Sequence, residues 1–239
     1  MKAPLNKVTA PGLLIALGII FGDIGTSPLY VFNAIITDHT ISERLIVGSL
    51  SCIIWTITLQ TTLKYVILVL KADNRGEGGT FALYALVRRQ RKWLVMPAMI
   101  GGAALLADGI ITPPISVTSA VEGLKELPTF HNIREYVVYI VLVILGFFFF
   151  MQQFGTASIG KFFGPVMLVW FSMLAVLGVV SCYQDPDILR AFSPQYAIDF
   201  LSDEPKALWL LGAVFLCSTG AEALYSDLGH CGRGNIRIS

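Results

Sequence analysis

The stretch "GIIFGDIGTSPLY", residues 18–30, decides how the first long apolar run of the chain can fold. A helix that crosses a bilayer needs about 20 mostly apolar residues. This run instead contains Asp23, three glycines and Pro28. Proline lacks a backbone N–H and clashes with the preceding helical turn, and glycine weakens a helix further. We therefore predict a membrane helix that breaks between Gly25 and Pro28, with a simple proline kink as the alternative.

An acid beside a broken membrane helix indicates a cation site. Hydrocarbon offers no hydrogen-bond partners, so unwound backbone persists only where protein buries it or a cavity wets it. Free carbonyls, the hydroxyls of Thr26 and Ser27 and the Asp23 carboxylate are hard oxygen ligands. An acid at that depth costs roughly 3 kcal/mol or more and is a functional candidate by default. The alternative is that Asp23 lies near the inner end of its span and reaches the interface.

The composition is that of a membrane protein. The 239 residues are 55% hydrophobic and 14% charged, whereas soluble domains carry about 25% charged residues. A net charge of +1 gives no reason to expect nucleic acid as a partner. The four cysteines match no metal or redox motif, so we expect buried, inert thiols. Six apolar runs qualify as spans: 12–36, 45–70, 94–124, 136–151, 159–182 and 207–230.

Two of these runs leave alternatives open. The third contains Asp108, Pro113 and Pro114, and can be one tilted helix or a broken one. The fourth is short for a membrane span and can borrow residues from its flanks.

Basic residues predict the orientation of the spans. With the N-terminus inside, the inner side receives eleven Lys and Arg residues and the outer side five, leaving out Lys64 inside the second span. Since positive loops favour the cytoplasm, both termini are predicted to be cytoplasmic. The inner stretch "ADNRGEGG" (72–79) is interpreted as a loop with a structural or gating role. The following "TFALYALVRRQRK" (80–92) predicts a short interfacial helix, and the outer loop 182–206 can carry a short surface helix.

The sixth run repeats the pattern of the first. "STGAEALY" (218–225) resembles "GDIGTSPLY" (22–30) in its small residues, its acid and its final Leu-Tyr, with chance as the alternative explanation. In transporters built from inverted repeats of five helices, spans one and six are counterparts and both are unwound at the substrate site. The positions of the two interrupted runs therefore favour such a transporter.

The third run places polar groups on one helical face. Asp108, Thr112, Ser116 and Ser119 follow one another at helical spacing. A face of hydroxyls that ends in a carboxylate is unusual in lipid and suits ion binding. The alternative is that the hydroxyls bond back to their own helix and mediate helix packing.

These stretches resemble the KUP/HAK/KT family of potassium uptake proteins. The resemblance rests on "FGDIGTSPLYVF" (21–32), "ADNRGEGGTFAL" (72–83), "DGIITPPISVTSAVEGL" (108–124), "FGTASIGKFFGPVMLVWF" (154–171) and "TGAEALYSDLGH" (219–230), and it covers nearly the whole chain. It implies an all-α polytopic membrane protein with the LeuT/APC-like inverted-repeat fold. Residues 1–239 would then form a transmembrane domain that holds the first five-helix repeat and the first helix of the second. A soluble C-terminal domain, which members often carry, would be absent.

The resemblance also implies the site residues. A K⁺ site would take Asp23 and Tyr30 from the first span, Thr112 and Ser116 from the third and Thr219 from the sixth. Glu222 and Asp108 match membrane acids that serve proton coupling, although the family often has Glu where this chain has Asp108. Tyr30 can equally be a packing residue. No cofactor and no metal beyond K⁺ is implied.

The expected function is K⁺ uptake across the bacterial plasma membrane, as K⁺:H⁺ symport by alternating access. The partners would be K⁺, H⁺ and the lipid bilayer, without nucleic acid, and a homodimer is possible in an intact homologue. One rival is an APC-type amino-acid or cation transporter, and another is a non-transporting, truncated remnant. An enzyme is not expected, because the three histidines lie far apart and no nucleophile–base motif is present: His39, His131 and His230.

Overall fold

The chain folds into helices. The structure, a computed structural model, describes residues 7–37, 41–88, 90–124, 135–153, 156–203 and 207–239. Within these ranges the regular elements are helical, with an isolated bridge between Asn74 and Glu77. The α-helices are α1 (Ala10–Ile19), α2 (Phe21–Ile24), α3 (Ser27–Thr37), α4 (Glu43–Ile57), α5 (Gly79–Arg88), α6 (Val95–Gly123), α7 (Val137–Gln152), α8 (Thr156–Gln184), α9 (Pro194–Asp203), α10 (Ala207–Phe215), α11 (Ala223–Ser226), α12 (Leu228–Cys231) and α13 (Arg233–Ile238).

The first apolar run is broken at Gly25, where the sequence predicts a break, and it is also interrupted earlier, after Ile19. Thr9 is the N-cap residue of α1, and its hydroxyl accepts a hydrogen bond from the Gly12 N–H at 3.2 Å. The helix is interrupted after Ile19, and a turn at Gly25 separates α2 from α3. Pro28 lies in the first turn of α3, where its missing N–H would have no helical partner in any case. The proline therefore starts a new helix and does not merely kink an old one.

The second apolar run is continuous but changes its winding. α4 passes directly into a π-helix, Thr58–Leu68, and then into a 3₁₀ turn, Val69–Lys71. The hydroxyl of Thr58 donates to the Ile54 carbonyl at 2.7 Å. Side chains that bond back to the preceding turn compete with regular helical hydrogen bonds. Long π-helical stretches are rare, and the apolar pattern of the sequence does not reveal one.

Within the residues that the structure describes, four helices are long and apolar enough to cross a membrane. They are Glu43–Lys71, Lys92–Gly123, Phe162–Gln184 and Ala207–Ser226. The first and fourth predicted spans appear as the shorter apolar helices Ala10–Ile19 and Val137–Met151. The first run is shortened by its break. The N-terminal flank of the fourth run, residues 125–134, lies outside the described residues.

The prolines have less effect in the third run than in the first. α6 is one continuous helix although Pro113 and Pro114 lie inside it. This settles the two alternatives for that run in favour of an unbroken helix. Ser/Thr side chains and local adjustments can satisfy the groups that a proline frees in a membrane helix.

The chain forms two compact units. The first comprises Met1–Leu83 and Lys161–Ser239, and the second comprises Tyr84–Gly160. In the first unit, one buried apolar cluster includes Ile20, Ile24, Leu70, Leu224 and Leu228, and another includes Val31, Ile35, Leu45, Val214 and Cys217. In the second unit, α6 and α7 pack through Val121, Val137 and Val141.

The helix predicted within segment 182–206 is present as α9, which packs along α4. Gly48 makes room for Phe200, because a β-carbon on the glycine would lie 2.6 Å from the Phe200 β-carbon. The Trp55 indole N–H donates to the Phe192 carbonyl at 3.0 Å. The predicted inner helix is likewise present as α5.

Candidate functional site

Asp23 lies in α2, between the two ends of the broken first span. Its carbonyl accepts hydrogen bonds from the Thr26 amide (3.2 Å), the Thr26 hydroxyl (3.1 Å) and the Ser27 hydroxyl (3.0 Å). The sequence analysis counted the Thr26 and Ser27 hydroxyls among the oxygen ligands, and in the structure both donate their protons within the turn. The Asp23 carbonyl, which already accepts three hydrogen bonds, has no lone pair left for a cation, whereas the Thr26 and Ser27 hydroxyl oxygens each retain at least one. These hydroxyl oxygens can therefore still contact a cation.

The sixth apolar run is also interrupted. α10 ends at Phe215, a 3₁₀ turn covers Leu216–Ser218, and α11 begins at Ala223. Gly220 has a φ of +86°, in the left-handed region that glycine adopts readily and other residues rarely do. The glycine thus allows the chain to turn between the two helical parts, at the position where the sequence places the break.

The two interruptions lie against each other. A β-carbon built on Gly220 would lie 2.7 Å from the Asp23 β-carbon and 2.8 Å from Asp23 Oδ2. The Asp23 side chain therefore occupies the space that a side chain at position 220 would need. Ile24 and Ala221 belong to the same buried cluster and pack the two segments together. A carboxylate is thereby fixed where both helices lose their regular backbone hydrogen bonds.

The other candidates of the first unit border this meeting point. The Tyr30 hydroxyl donates to Ser27 Oγ at 3.1 Å, and its ring packs against a buried cluster. The packing role is therefore present, and the role of Tyr30 as an ion ligand stays a prediction. Thr219 is extended, with φ −58° and ψ 138°. Glu222 directly precedes α11 and interacts electrostatically with Tyr65 of the π-helical stretch. The break in the sixth span therefore carries a hydroxyl before its glycine and an acid after it.

The candidates on α6 form a separate group in the second unit. The Thr112 hydroxyl donates to Asp108 Oδ1 at 3.0 Å. Thr112 therefore bonds to the acid one turn earlier, and the predicted polar face exists. Ser116 Oγ is buried and has no hydrogen-bond partner within the part of the chain that the structure describes. Their proximity to Asp23 stays a prediction, because the residues belong to different compact units.

Sequence reasoning missed the contribution of the fifth span. The indole N–H of Trp170, on α8, donates to the Gly25 carbonyl at 3.3 Å. The Phe171 ring also covers Gly25, since a β-carbon there would lie 2.9 Å from Phe171 Cε1. A tryptophan in an apolar helix was a usable signal, because a buried indole N–H usually finds a partner.

A second set of contacts links loop 72–79 to the chain after the sixth span, and we call it the loop clamp. The Arg233 guanidinium lies 2.5 Å from Asp73 Oδ1. The Tyr225 hydroxyl donates to the Ala72 carbonyl at 2.5 Å. Gly78 packs so closely on the Tyr225 backbone that a side chain there would overlap it. These contacts support a structural role for the loop, in which it holds the end of the sixth span. The gating role that the sequence equally allows stays a prediction.

Nearby charges, hydrogen bonds and burial shift the pKa values of three side chains near the loop clamp. The Gly76 N–H and then Arg233 stabilise the Asp73 carboxylate and lower its pKa below the ordinary 3.8. Burial raises the pKa of Asp227, against the opposing effect of nearby His230. Burial also raises the pKa of the Cys231 thiol to about 11. The predicted burial is confirmed for Cys231, and its raised pKa favours the protonated thiol over the reactive thiolate.

The chain after the clamp returns to the start of the first span. The Asn235 side chain accepts the Thr9 N–H at 3.0 Å and donates to the Cys231 carbonyl at 2.7 Å. The N-terminus of α1 is therefore fixed to α13.

Of the three histidines considered for catalysis, one lies in the part of the chain that the structure describes. His230 lies in α12 with an exposed side chain, and His39 and His131 lie outside the described residues. Among the residues that the structure describes, no three His, Cys, Asp or Glu side chains are grouped to hold a metal ion.

The sequence of the chain is similar to known potassium transport proteins. Residues 10–239 match the family described as "K+ potassium transporter integral membrane domain". A "Probable potassium transport system protein Kup" of Cytophaga hutchinsonii is 61% identical over 243 residues, which cover 98% of this chain. Proteins of the same description from Flavobacterium johnsoniae and Clostridium perfringens are 58% and 55% identical, over 98% and 100% of the chain. No solved structure matches.

The chain spans only about a third of the length of these relatives: 36% of the first two and 37% of the third. The family match nevertheless extends from α1 to the last residue. It includes both broken helices, the polar face of α6 and the loop clamp. With its spanning helices, the chain is a multi-pass membrane protein, and it belongs to the family of K⁺ potassium transporter integral membrane domains.

Proposed function

We propose that the chain provides the ion-binding part of a potassium transporter that takes K⁺ into the cell across the plasma membrane. One observation carries this proposal. The Asp23 carboxylate lies against Gly220, at the point where two interrupted membrane helices meet. K⁺ must lose its water to cross, and a paired carboxylate lowers the cost of burying the bare charge.

The proposed K⁺ ligands come from three spans. Asp23 and Tyr30 supply a carboxylate and a hydroxyl from the first, and Thr219 supplies a hydroxyl from the sixth. Thr112 and Ser116, which belong to the second compact unit, are proposed as further ligands because of the resemblance. The buried Ser116 hydroxyl supports this role, because an unsatisfied buried polar group normally has a reason to be there.

The transport is proposed to be symport with H⁺ by alternating access. Glu222 is the favoured proton carrier, because it follows the left-handed Gly220 in the turn that contacts Asp23. Asp108 is the second candidate, and the Thr112 hydroxyl is already bonded to it. The proposed location is the bacterial plasma membrane, with both termini in the cytoplasm.

An amino-acid substrate fits this site less well. Transporters of that kind present a helix N-terminus to the carboxylate of the substrate. Asp23 would repel such a group. Competition of uptake by Rb⁺, but not by amino acids, is the expected result.

The test is K⁺ uptake in cells that lack their own uptake systems. Two proteins are expressed: this chain, and a chimera in which it replaces the matching segment of the Cytophaga relative. We expect Asp23→Asn to abolish uptake, whereas Asp187→Asn, at an exposed position of the outer segment, leaves it intact. Undiminished uptake by Asp23→Asn contradicts the proposal. Uptake by the chimera but not by the chain alone favours the remnant interpretation for the isolated chain.

A further inference from the structure

The fifth span packs directly on the broken first span. Gly18 and Gly164 bring the two backbones into contact: a β-carbon on Gly18 would lie 2.8 Å from Gly164 Cα, and one on Gly164 would lie 2.8 Å from Leu14 Cγ. Small residues at such crossings let membrane helices approach closely. The position of α8 relative to α1 is therefore fixed less than two turns before the break.

Beyond this crossing, α8 reaches the break itself. The Trp170 indole donates its N–H to the Gly25 carbonyl at 3.3 Å, and Phe171 fills the space beside the glycine. Gly25 belongs to the turn between α2 and α3, where carbonyls lose their regular helical partners. The indole thus restores a hydrogen bond to one carbonyl of the interruption.

This carbonyl is close in sequence to the proposed ion ligand. Gly25 follows Asp23 by two residues, and the Asp23 carboxyl contacts Gly220. A carbonyl oxygen has two lone pairs. An N–H that engages one of them fixes the direction of the other, and the number and direction of such oxygens determine which cation a dehydrated site accepts.

We propose that Trp170 is a positioning residue for the ion site: its indole N–H orients the Gly25 carbonyl, and this sets the affinity for K⁺ and the preference among alkali cations. The assignment rests on the proposed function. A purely structural tryptophan would affect stability, but it would leave the relative affinities for K⁺, Rb⁺ and Na⁺ unchanged.

Trp55 provides a matched control. Its indole N–H also donates to a backbone carbonyl, that of Phe192 at 3.0 Å, but in the packing of the outer segment on α4. Trp170→Phe and Trp55→Phe therefore each remove one indole-to-carbonyl bond and keep an aromatic ring. The two variants differ in whether the carbonyl belongs to the break.

The first experiment measures thermal stabilisation of the purified protein by KCl, RbCl and NaCl, with choline chloride keeping the ionic strength constant. Stabilisation that depends on concentration reports the affinity of each ion. For Trp170→Phe we expect the K⁺ affinity to fall about threefold, as for the loss of one neutral hydrogen bond, and the K⁺ to Rb⁺ ratio to change. Trp55→Phe should keep the wild-type affinities and ratios. Equal behaviour of the two variants overturns the assignment.

A second measurement does not depend on the folding of Trp170→Phe. Replacing the other three tryptophans by Phe (Trp55, Trp93 and Trp209) leaves Trp170 as the sole tryptophan. Its emission should change on addition of K⁺, and Asp23→Asn should abolish the change. If K⁺ stabilises the protein but leaves the Trp170 emission unchanged, the assignment of Trp170 is overturned and the proposed function is not. If wild-type protein shows no K⁺-dependent stabilisation, no K⁺-dependent emission change and no K⁺ uptake, the proposed function fails, and the assignment of Trp170 fails with it.

Discussion

Gly220 lies so close to Asp23 that a β-carbon on the glycine would lie 2.8 Å from the carboxylate oxygen Oδ2. Nearly two hundred residues of sequence separate the two positions. The contact brings the interruptions of the first and sixth spans together, beside the partly buried side chain of Asp23. Unwound backbone in a membrane persists only where protein buries it or a cavity wets it, so two interruptions that lie against each other can shield one another from hydrocarbon.

The first prediction concerns the glycine of this contact. Gly220→Ala adds a methyl group against Asp23 and forces a non-glycine residue to a φ of +86°. We expect a loss of about 2 kcal/mol in stability, since such strain costs about 1–3 kcal/mol, together with a large loss of K⁺ binding. Gly212→Ala is the control, because nothing lies within 4 Å of a β-carbon there. The measurement is the unfolding temperature of each variant in detergent. Equal unfolding temperatures for Gly220→Ala and Gly212→Ala would refute the tight contact.

The second prediction tests the crossing of the first and fifth spans. Gly164→Ala places a methyl group against Leu14 and should destabilise the protein by about 1–3 kcal/mol through overpacking. Gly178→Ala, on the same helix but with open space around it, should be neutral or mildly stabilising. Comparison of their unfolding temperatures checks this, and a neutral Gly164→Ala would mean that the helices do not touch there.

The third prediction concerns the loop clamp and its dependence on pH. The lowered pKa of Asp73 means that its carboxylate stabilises the folded chain above the ordinary value of 3.8, and that this stability is lost as the pH falls through the lowered pKa. Asp73→Asn should therefore reduce the unfolding temperature at pH 7, with the difference from wild type shrinking below pH 3.8. A difference that stays constant down to the lowest accessible pH would contradict the lowered pKa of Asp73.

The fourth prediction separates ion binding from packing on α6. Ser116→Ala removes a buried hydroxyl that has no partner among the described residues. The fold should be unaffected or stabilised by up to about 1 kcal/mol, because a desolvated polar atom is lost. Uptake of K⁺ should nevertheless fall, since the hydroxyl is a proposed ligand. A variant that transports normally would remove Ser116 from the site.

The sequence reveals the breaks because their causes are local. Pro28 and the neighbouring glycines disrupt a helix wherever they occur, and Gly220 marks a turn for the same reason. The same logic does not decide the third span, where Pro113 and Pro114 sit inside a continuous helix. Context around a proline, rather than the proline itself, determines whether a membrane helix breaks.

Contacts between residues that are far apart in the chain cannot be predicted from one sequence. Asp73 and Arg233 stand 160 positions apart, and Trp170 and Gly25 stand 145 apart. Each residue type suggests that a partner exists, because a charge or an indole N–H near lipid needs one. Nothing in local spacing identifies that partner. The π-helical winding of the second span is similarly hidden, since its apolar pattern is compatible with a regular helix.

The central claim is that the Asp23 carboxylate binds K⁺ at the meeting of the two broken helices. The most direct measurement is the thermal stability of purified wild-type and Asp23→Asn protein, titrated with KCl at an ionic strength held constant by choline chloride. Wild-type protein should be stabilised increasingly as K⁺ rises through its dissociation constant, and Asp23→Asn should show no K⁺-specific stabilisation. Equal stabilisation of both proteins by K⁺ would contradict the claim.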